Sequence, residues 1–578
     1  MRVNEFLGEV RATTHRSGDD LLSGGLGLAG LRGPPAVFVD PAAPTAQELR
    51  RRAIQNNWKG IADLGPLGGY GEVYGSVPDV PGREYQAFAK IPGARCSHRV
   101  LAQIPDAFDA KARCLVVTAS SGSRGVYGAI ALAGAWGLSR GCAVAYTDKG
   151  AGTGYFDTAS ATGVGLEGTR ATAGDVELEF SPDVYASESD IAVKHAHSGD
   201  NPEADWGRHL LQAIEFGLAM LDHAWPQQAP FTPDNTRIIA VGLSNGGAAV
   251  LQAAGLDDAG AMDAAIAIAP NVNVPGHGRA LYDYATEAAL LLPGALTDAS
   301  FEAIPFARAA GGIATTWTAR GANLRNAGIP ISGCAHALEQ LRASGWSEAA
   351  LATAATTTAL DLWRAFAATY ASAYTRSPVG RMPGGYRFAA HDASGHARAA
   401  TPAERAAWWA DAIGIPPGAG VFLDQAATDA RADDPDLSGL LQLRALWTSG
   451  TVDAQRLRAA VAATAVRLPR EGLPLWIVHG RDDGLIPPTF SSDAYVAWLR
   501  ANGREPIYWP LAHAQHFDGF LALPGFGDCY VPLLPYAYAA LDAVWRHLVE
   551  GEPLGAVQVP EPRPRGAGKL DATHFGFR

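Results

Sequence analysis

The sequence predicts an α/β fold, a mostly parallel sheet covered by helices on both faces. Three observations carry this. Short apolar runs alternate with helical repeats from about residue 112 to 270, beginning with Cys114-Leu115-Val116-Val117-Thr118. Such runs, apolar without interruption, are what strands buried on both faces require. The alternation stops at Pro270 and resumes at Leu475-Trp476-Ile477-Val478-His479, so a long insertion interrupts one sheet. Between them, Ile238-Ile239-Ala240-Val241 enters Gly242-Leu243-Ser244-Asn245-Gly246, and a small-residue helical stretch follows. Strand, Gly-x-Ser-x-Gly, helix is the context of a nucleophile elbow, so the fold class narrows to α/β-hydrolase.

The elements follow in order. Residues 1–85 are rich in Gly and Pro and read as an N-terminal extension packed on the core, with a short helix over Ala46 to Ile54. Residues 86–270 and 471–550 form the α/β core. Its strands are Tyr85 to Ala89, Cys114 to Thr118, Ala143 to Tyr146, the run into Ser244, Ala264 to Ala269, Leu475 to His479 and Pro506 to Trp509. A helix begins near Tyr127, another spans Arg208 to His223, and Pro535 to Val549 closes the core. A polar excursion occupies about 148 to 204. Residues 271–470 are Ala-rich and read as helical, with long helices over Glu348 to Tyr374, Ala403 to Ile413 and Leu437 to Val466 and no strand pattern. They are taken as a lid-like insertion over the active edge of the sheet; an independent helical domain is the rival. Residues 551–578 are a surface tail.

Composition excludes several classes. The 578 residues carry a net charge of -12, and Lys and Arg form no dense stripe, so nucleic acid is not an expected partner. No apolar run reaches the ~18 residues of a membrane span. Met1 to Asp20 is polar and lacks a secretory signal, which points to the cytoplasm, or to secretion if a signal was removed before Met1. The five cysteines have no zinc spacing; a Cys334–Cys529 bridge stays open.

The elbow pattern needs a control. In so glycine-rich a chain one chance match is expected roughly 0.4 times, and Gly137-Leu138-Ser139-Arg140-Gly141 is a second match. It follows a helical stretch and precedes a strand, which suits a helix-to-strand turn with Gly as the helix stop, so Ser139 reads as structural and Ser244 as the nucleophile. A serine nucleophile needs a base, and the base an orienting acid. In this fold they follow in the order acid, then histidine. The acid loop is His479-Gly480-Arg481-Asp482-Asp483-Gly484-Leu485-Ile486-Pro487, with Asp483 preferred over Asp482. The histidine comes from Leu511-Ala512-His513-Ala514-Gln515-His516, with His516 preferred over His513 and His479 left as a structural hydrogen-bonder. The oxyanion donors are the N–H of Asn245 and one at Ser121 or Gly122, in the loop after Thr118. Arg124, in the same loop, reads equally as a carboxylate binder or a surface charge. Lys149 to Gly154 lacks the end of a phosphate loop, His195-Ala196-His197 reads as a solvated loop rather than a metal site, and Trp408-Trp409 as core. No cofactor or metal is expected.

Ser121 to Ala129, the 241–247 elbow, His513 to Asp518 and the opening Asp19-Asp20-Leu21-Leu22-Ser23-Gly24-Gly25-Leu26-Gly27-Leu28 together resemble the D-(-)-3-hydroxybutyrate oligomer hydrolases. The resemblance runs over most of the chain. It implies hydrolysis of short 3-hydroxybutyrate oligomers to monomers, in the breakdown of poly(3-hydroxybutyrate). Two rivals remain: a tannase- or feruloyl-esterase-like enzyme of aromatic esters, and a hydrolase-fold protein that binds without turnover. Oligomeric state is not readable.

Overall fold

The computed structural model describes residues 9–577 except 123, 184–189, 305, 308–313, 412–419, 426–432 and 555–557. A nine-stranded sheet organises the chain. Its strands are β1 (Arg11–His15), β2 (Gly82–Ala89), β3 (His98–Pro105), β4 (Cys114–Ala119), β5 (Ala143–Thr147), β6 (Arg237–Leu243), β7 (Ala264–Ile268), β8 (Leu475–Gly480) and β9 (Ile507–Leu511). The spatial order is β1-β2-β3-β5-β4-β6-β7-β8-β9. From β5 to β9 every pairing is parallel, whereas β1, β2 and β3 join antiparallel at one edge. The N-terminal extension thus supplies the outermost strand of the core sheet.

Alternate residues of each central strand enter opposite cores. Val116, Ile239 and Val241 pack on one face, Leu115, Val117, Ile238 and Ala240 on the other. Helix α1 (Ala46–Ile61) begins with a Thr45–Glu48 capping box and buries Ala53, Ile54 and Trp58 in the first core. It runs seven residues beyond the Ile54 end expected from sequence, because Gln55, Asn57 and Lys59 are good helix formers or find local partners. Helix α2 (Pro202–Ala224) covers the opposite face.

The insertion differs from the expected all-helical pattern. It has its own apolar core, built on helices α4 (Leu281–Ala295) and α5 (Leu362–Thr375). It also carries a three-stranded antiparallel sheet of Tyr386–His391, Ala397–Arg398 and Phe422–Gln425. These strands are two to six residues long and are held by pairing and burial against the helices, which no local periodicity reports. The predicted Glu348–Tyr374 helix is broken at Asp361, whose φ is +56°, and the predicted Leu437–Val466 helix at Thr451, which caps Val452–Ala462. The helix expected from Tyr127 is a π-helical turn, Ile130–Gly134, running into Ala135–Gly137. Part of the 148–204 excursion forms a four-stranded sheet within Tyr155–Val193. No helix among the described residues is long and apolar enough to cross a membrane. Cys334 and Cys529 are both free thiols.

The decoy Ser139 lies in a short 3-10 turn, its hydroxyl donating to the carbonyls of Ala135 and Trp136. At the other match, the glycines are steric requirements. A Cβ at Gly242 would lie 2.3 Å from the Gly246 carbonyl oxygen, and one at Gly246 would lie 2.4 Å from that of Ala119. Gly246→Ala is expected to cost at least about 2 kcal/mol. A thermal melt of the variant matching that of the parent would contradict this packing.

Candidate active site

β6 ends at Leu243, and helix α3 (Asn245–Leu256) starts two residues later. Ser244 makes the turn between them at φ 60°, ψ -127°. A serine in this region is strained by ~1–3 kcal/mol, and such strain persists only where its surroundings enforce it. They do: Ser244 N–H donates to the Ile268 carbonyl at 2.8 Å, and its own carbonyl accepts from Asn271 N–H at 3.2 Å. The hydroxyl therefore stands above the C-terminal ends of the parallel strands.

The next two groups come from the loops after β8 and β9. His516 Nε2 lies 3.0 Å from Ser244 Oγ. Its Nδ1 lies 2.7 Å from Asp483 Oδ2. A carboxylate only accepts, so Nδ1 carries the proton and Nε2 turns its lone pair to the serine hydroxyl. Asp483 Oδ1 accepts the N–H groups of Leu485 and Ile486 at 2.8 and 2.7 Å. His479 Nε2 donates to Asp483 Oδ2 at 3.1 Å, and that acid is wholly buried. Burial alone would raise the Asp483 pKa. The charge of His516 and the hydrogen bonds from His479 and His516 outweigh it and hold the group below the ordinary carboxylate range.

The two alternatives go elsewhere. Asp482 is half-buried; its N–H donates to the Ala514 carbonyl, and its own carbonyl accepts from Thr353 Oγ1. His513 is exposed, at φ +55°, and its carbonyl accepts from Val531 N–H. His479 is the structural partner of the acid.

Asn245 begins α3, so its N–H belongs to the unpaired donors of a helix N-terminus, where negative charge is favoured. Ser121 and Gly122 line the same cavity as Ser244 and His516. Gly122 lies against the Asn245 side chain: a Cβ on it would be 3.1 Å from Oδ1. The cavity, about 440 Å³, is otherwise largely apolar, with Leu243, Ile268, Leu485 and Ile486 from the core and Leu281, Leu362 and Phe366 from the insertion.

A buried polar network behind Asn245 was not foreseen. Asn245 Nδ2 donates to Glu203 Oε2 and to Tyr370 OH, both at 3.0 Å. Glu203 Oε1 also accepts from Lys149 Nζ and from His195 Nε2. Trp206 Nε1 holds the Asn245 carbonyl at 3.0 Å. His195-Ala196-His197 is therefore not a solvated loop: it lies in a short buried helix, Lys194–His197. Lys149 is a buried ion-pair partner of Glu203. These residues lie 39 to 125 positions from Asn245, and no short-range motif links them. Burial penalises Glu203, but Lys149 and His195 outweigh it and hold its pKa at about 2. At Lys149 burial wins over pairing, and its pKa is lowered.

Glu203 adds stability at neutral pH, because its folded-state pKa lies below the ordinary 4.5. That contribution is full above pH 4.5 and is lost as pH falls toward 2. Glu203→Gln is expected to destabilise by about 3 kcal/mol at pH 7, since it strands a buried ammonium. Its melting temperature should also fall less than the parent's between those pH values. Parallel pH profiles would refute the assignment.

A sheet in this order, with a turn-borne serine hydrogen-bonded in series to a histidine and an aspartate, defines an α/β-hydrolase. A family model described as 3HB-oligomer hydrolase matches residues 2–575, and the chain belongs to that family. It is 39% identical to the D-(-)-3-hydroxybutyrate oligomer hydrolase of Burkholderia vietnamiensis (strain G4 / LMG 22486), over 97% of this chain and 89% of the relative. It is 36% identical to that of Paracidovorax citrulli (strain AAC00-1), over the same shares. Among solved structures it is similar to feruloyl esterase B from Aspergillus oryzae, at 13% identity and a TM-score of 0.37, covering 89% of this chain and 87% of that one. That likeness bears on neither substrate nor mechanism.

Proposed function

We propose that this protein is a serine esterase that hydrolyses short 3-hydroxybutyrate oligomers to monomers. The observation that carries the chemistry is the row Ser244–His516–Asp483, bonded at 3.0 and 2.7 Å above an apolar cavity. The substrate class follows from membership of the family and from relatives that bear this activity in their names.

His516 Nε2 takes the hydroxyl proton as Ser244 Oγ attacks the ester carbonyl. Asp483 holds the imidazole in the required tautomer and stabilises the imidazolium. The oxyanion is met by Asn245 N–H and a donor at Ser121 or Gly122, in a site with little water to compete. His516 then gives its proton to the departing alkoxide oxygen, which leaves as the hydroxyl of the first product. A 3-hydroxybutyryl ester remains on Ser244, and water activated by His516 releases it. The insertion, which lines the cavity through Leu281, Leu362, Phe366 and Tyr370, acts as a lid that excludes solvent.

The test is product analysis with 3-hydroxybutyrate dimer, trimer and polymer beside feruloyl and galloyl esters. Rapid monomer release from dimer and trimer, with the polymer and aromatic esters turned over far more slowly, is the expected result. Faster turnover of the aromatic esters would overturn the substrate assignment. Failure of a serine-directed covalent probe to label Ser244 would overturn the chemistry.

A further inference from the structure

We propose that Tyr370, a residue of the insertion, positions the oxyanion hole by holding the side chain of Asn245, so that the insertion sets the geometry of the transition-state site in the core. This rests on the serine-esterase reading of the same cavity.

Asn245 offers its backbone N–H as a proposed oxyanion donor, and its carbonyl and side chain are both tied down. The carbonyl accepts from Trp206 Nε1 at 3.0 Å. Nδ2 donates to Glu203 Oε2 and to Tyr370 OH, each at 3.0 Å. The orientation of the amide is forced: a carboxylate only accepts, so the NH2 end must face Glu203. An NH2 group has two hydrogens, and these two acceptors take both. Oδ1 then turns to the loop after β4, where a Cβ on Gly122 would lie 3.1 Å from it. One side chain thus joins the first donor, the loop proposed for the second, and the insertion.

Tyr370 lies on α5, is buried, and lines the cavity. Its ring meets that of His195 edge-on, with the centroids 5.0 Å apart, and its hydroxyl lies 3.4 Å from Lys149 Nζ. Burial and the charge of Glu203 keep the hydroxyl protonated at neutral pH. Two residues on, Ser372 Oγ donates to the Ala196 carbonyl at 2.9 Å. Both bonds tie α5 to the core, and the one from Ser372 does not involve Asn245.

An oxyanion hole acts by preorganisation: its donors must already stand where the charge develops. The Asn245 N–H comes directly after a strained serine and opens α3, so no earlier helical turn holds it. The bonds to Nδ2 and to the carbonyl fix that residue through both its side chain and its backbone. Without the Tyr370 hydroxyl, one Nδ2 hydrogen and the Lys149 ammonium each lose an acceptor in a buried place, and the amide is free to turn toward another. The competing role, docking of α5 alone, predicts lost stability with no selective loss of transition-state binding.

The test is Tyr370→Phe, which keeps the ring and removes the hydroxyl. Its kcat on 3-hydroxybutyrate dimer is expected to fall by about tenfold or more, with KM within about twofold of the parent, because the donor is misplaced rather than lost. A trifluoromethyl ketone analogue of the dimer adds to Ser244 as a tetrahedral oxyanion, and its affinity should fall by about the same factor as kcat/KM. Ser372→Ala should leave kcat within about twofold of the parent. In an Asn245→Ala background, with no amide to hold, Tyr370→Phe should lower kcat by less than about twofold further. A parent-like kcat in Tyr370→Phe would overturn the proposal. So would an equal loss in Ser372→Ala, losses that multiply in the double variant, or a raised KM at unchanged kcat, the mark of a ground-state contact. The ketone and Ser372 comparisons decide the matter even if Asn245→Ala does not fold. Failure of the serine reading shows differently, as turnover by Ser244→Ala and no adduct with the ketone in the parent.

Discussion

Ser244→Ala is expected to lower kcat on 3-hydroxybutyrate dimer by about four to six orders of magnitude. The substitution deletes one atom, the hydroxyl oxygen that attacks in the proposed mechanism. Water lacks its fixed position 3.0 Å from His516 Nε2, so the base is left with a nucleophile that must be recruited afresh. The fold should survive. The backbone bonds of residue 244 to Ile268 and Asn271 do not involve the hydroxyl, and alanine bears the strained φ of 60° no worse than serine. Steady-state kinetics and a thermal melt of one preparation check both halves. Turnover within tenfold of the parent, in folded protein, would remove Ser244 from the mechanism. A lost melt would show instead that the hydroxyl supports the elbow.

What could be read in advance follows the range of the forces involved. The central strands announce themselves because burial on both faces leaves them no polar positions, so Ile238 to Val241 and Leu475 to Val478 are legible as they stand. The row of serine, acid and histidine was legible through chain order and loop position, each residue following a parallel strand. The choice of Asp483 over Asp482 turns on which carboxylate faces the Leu485 and Ile486 N–H groups, and a short loop motif encodes that. The strands of the insertion were not legible. Tyr386–His391 and Phe422–Gln425 pair across the 30 residues between them, and neither is long enough to show a period. The Glu203–Lys149–His195 network was hidden for another reason. A lone charged residue in a loop or helix reads as solvated until the fold places three such groups and Asn245 together. Arg124 was undecided between pocket and surface because Gly60, which makes its berth, lies 64 positions away.

Asp483→Asn is expected to lower kcat by about four orders of magnitude, although the side chain keeps its size. The reason is donor and acceptor count. Asp483 Oδ2 accepts from His516 Nδ1 and His479 Nε2, and Oδ1 accepts from the N–H groups of Leu485 and Ile486. An amide has one acceptor end. With its NH2 toward the histidines, N–H meets N–H, and His516 escapes only by shifting its proton to Nε2, which then presents a hydrogen rather than a lone pair to Ser244. With its NH2 toward the loop, two backbone donors lose their acceptor, and a buried unsatisfied donor costs about 1–3 kcal/mol. Both orientations fail, so a loss of stability should accompany the loss of rate, unlike in Ser244→Ala. Its pH dependence has a fixed sign. The folded-state pKa of Asp483 lies below the ordinary 3.8, so its contribution is complete at neutral pH and disappears only as pH falls beneath that value. The neighbouring Asp482→Asn is the control: that side chain is outside the row, and its kcat should stay within about a factor of two. Equal losses in the two variants would mean that the loop, and not the carboxylate of Asp483, supports the histidine.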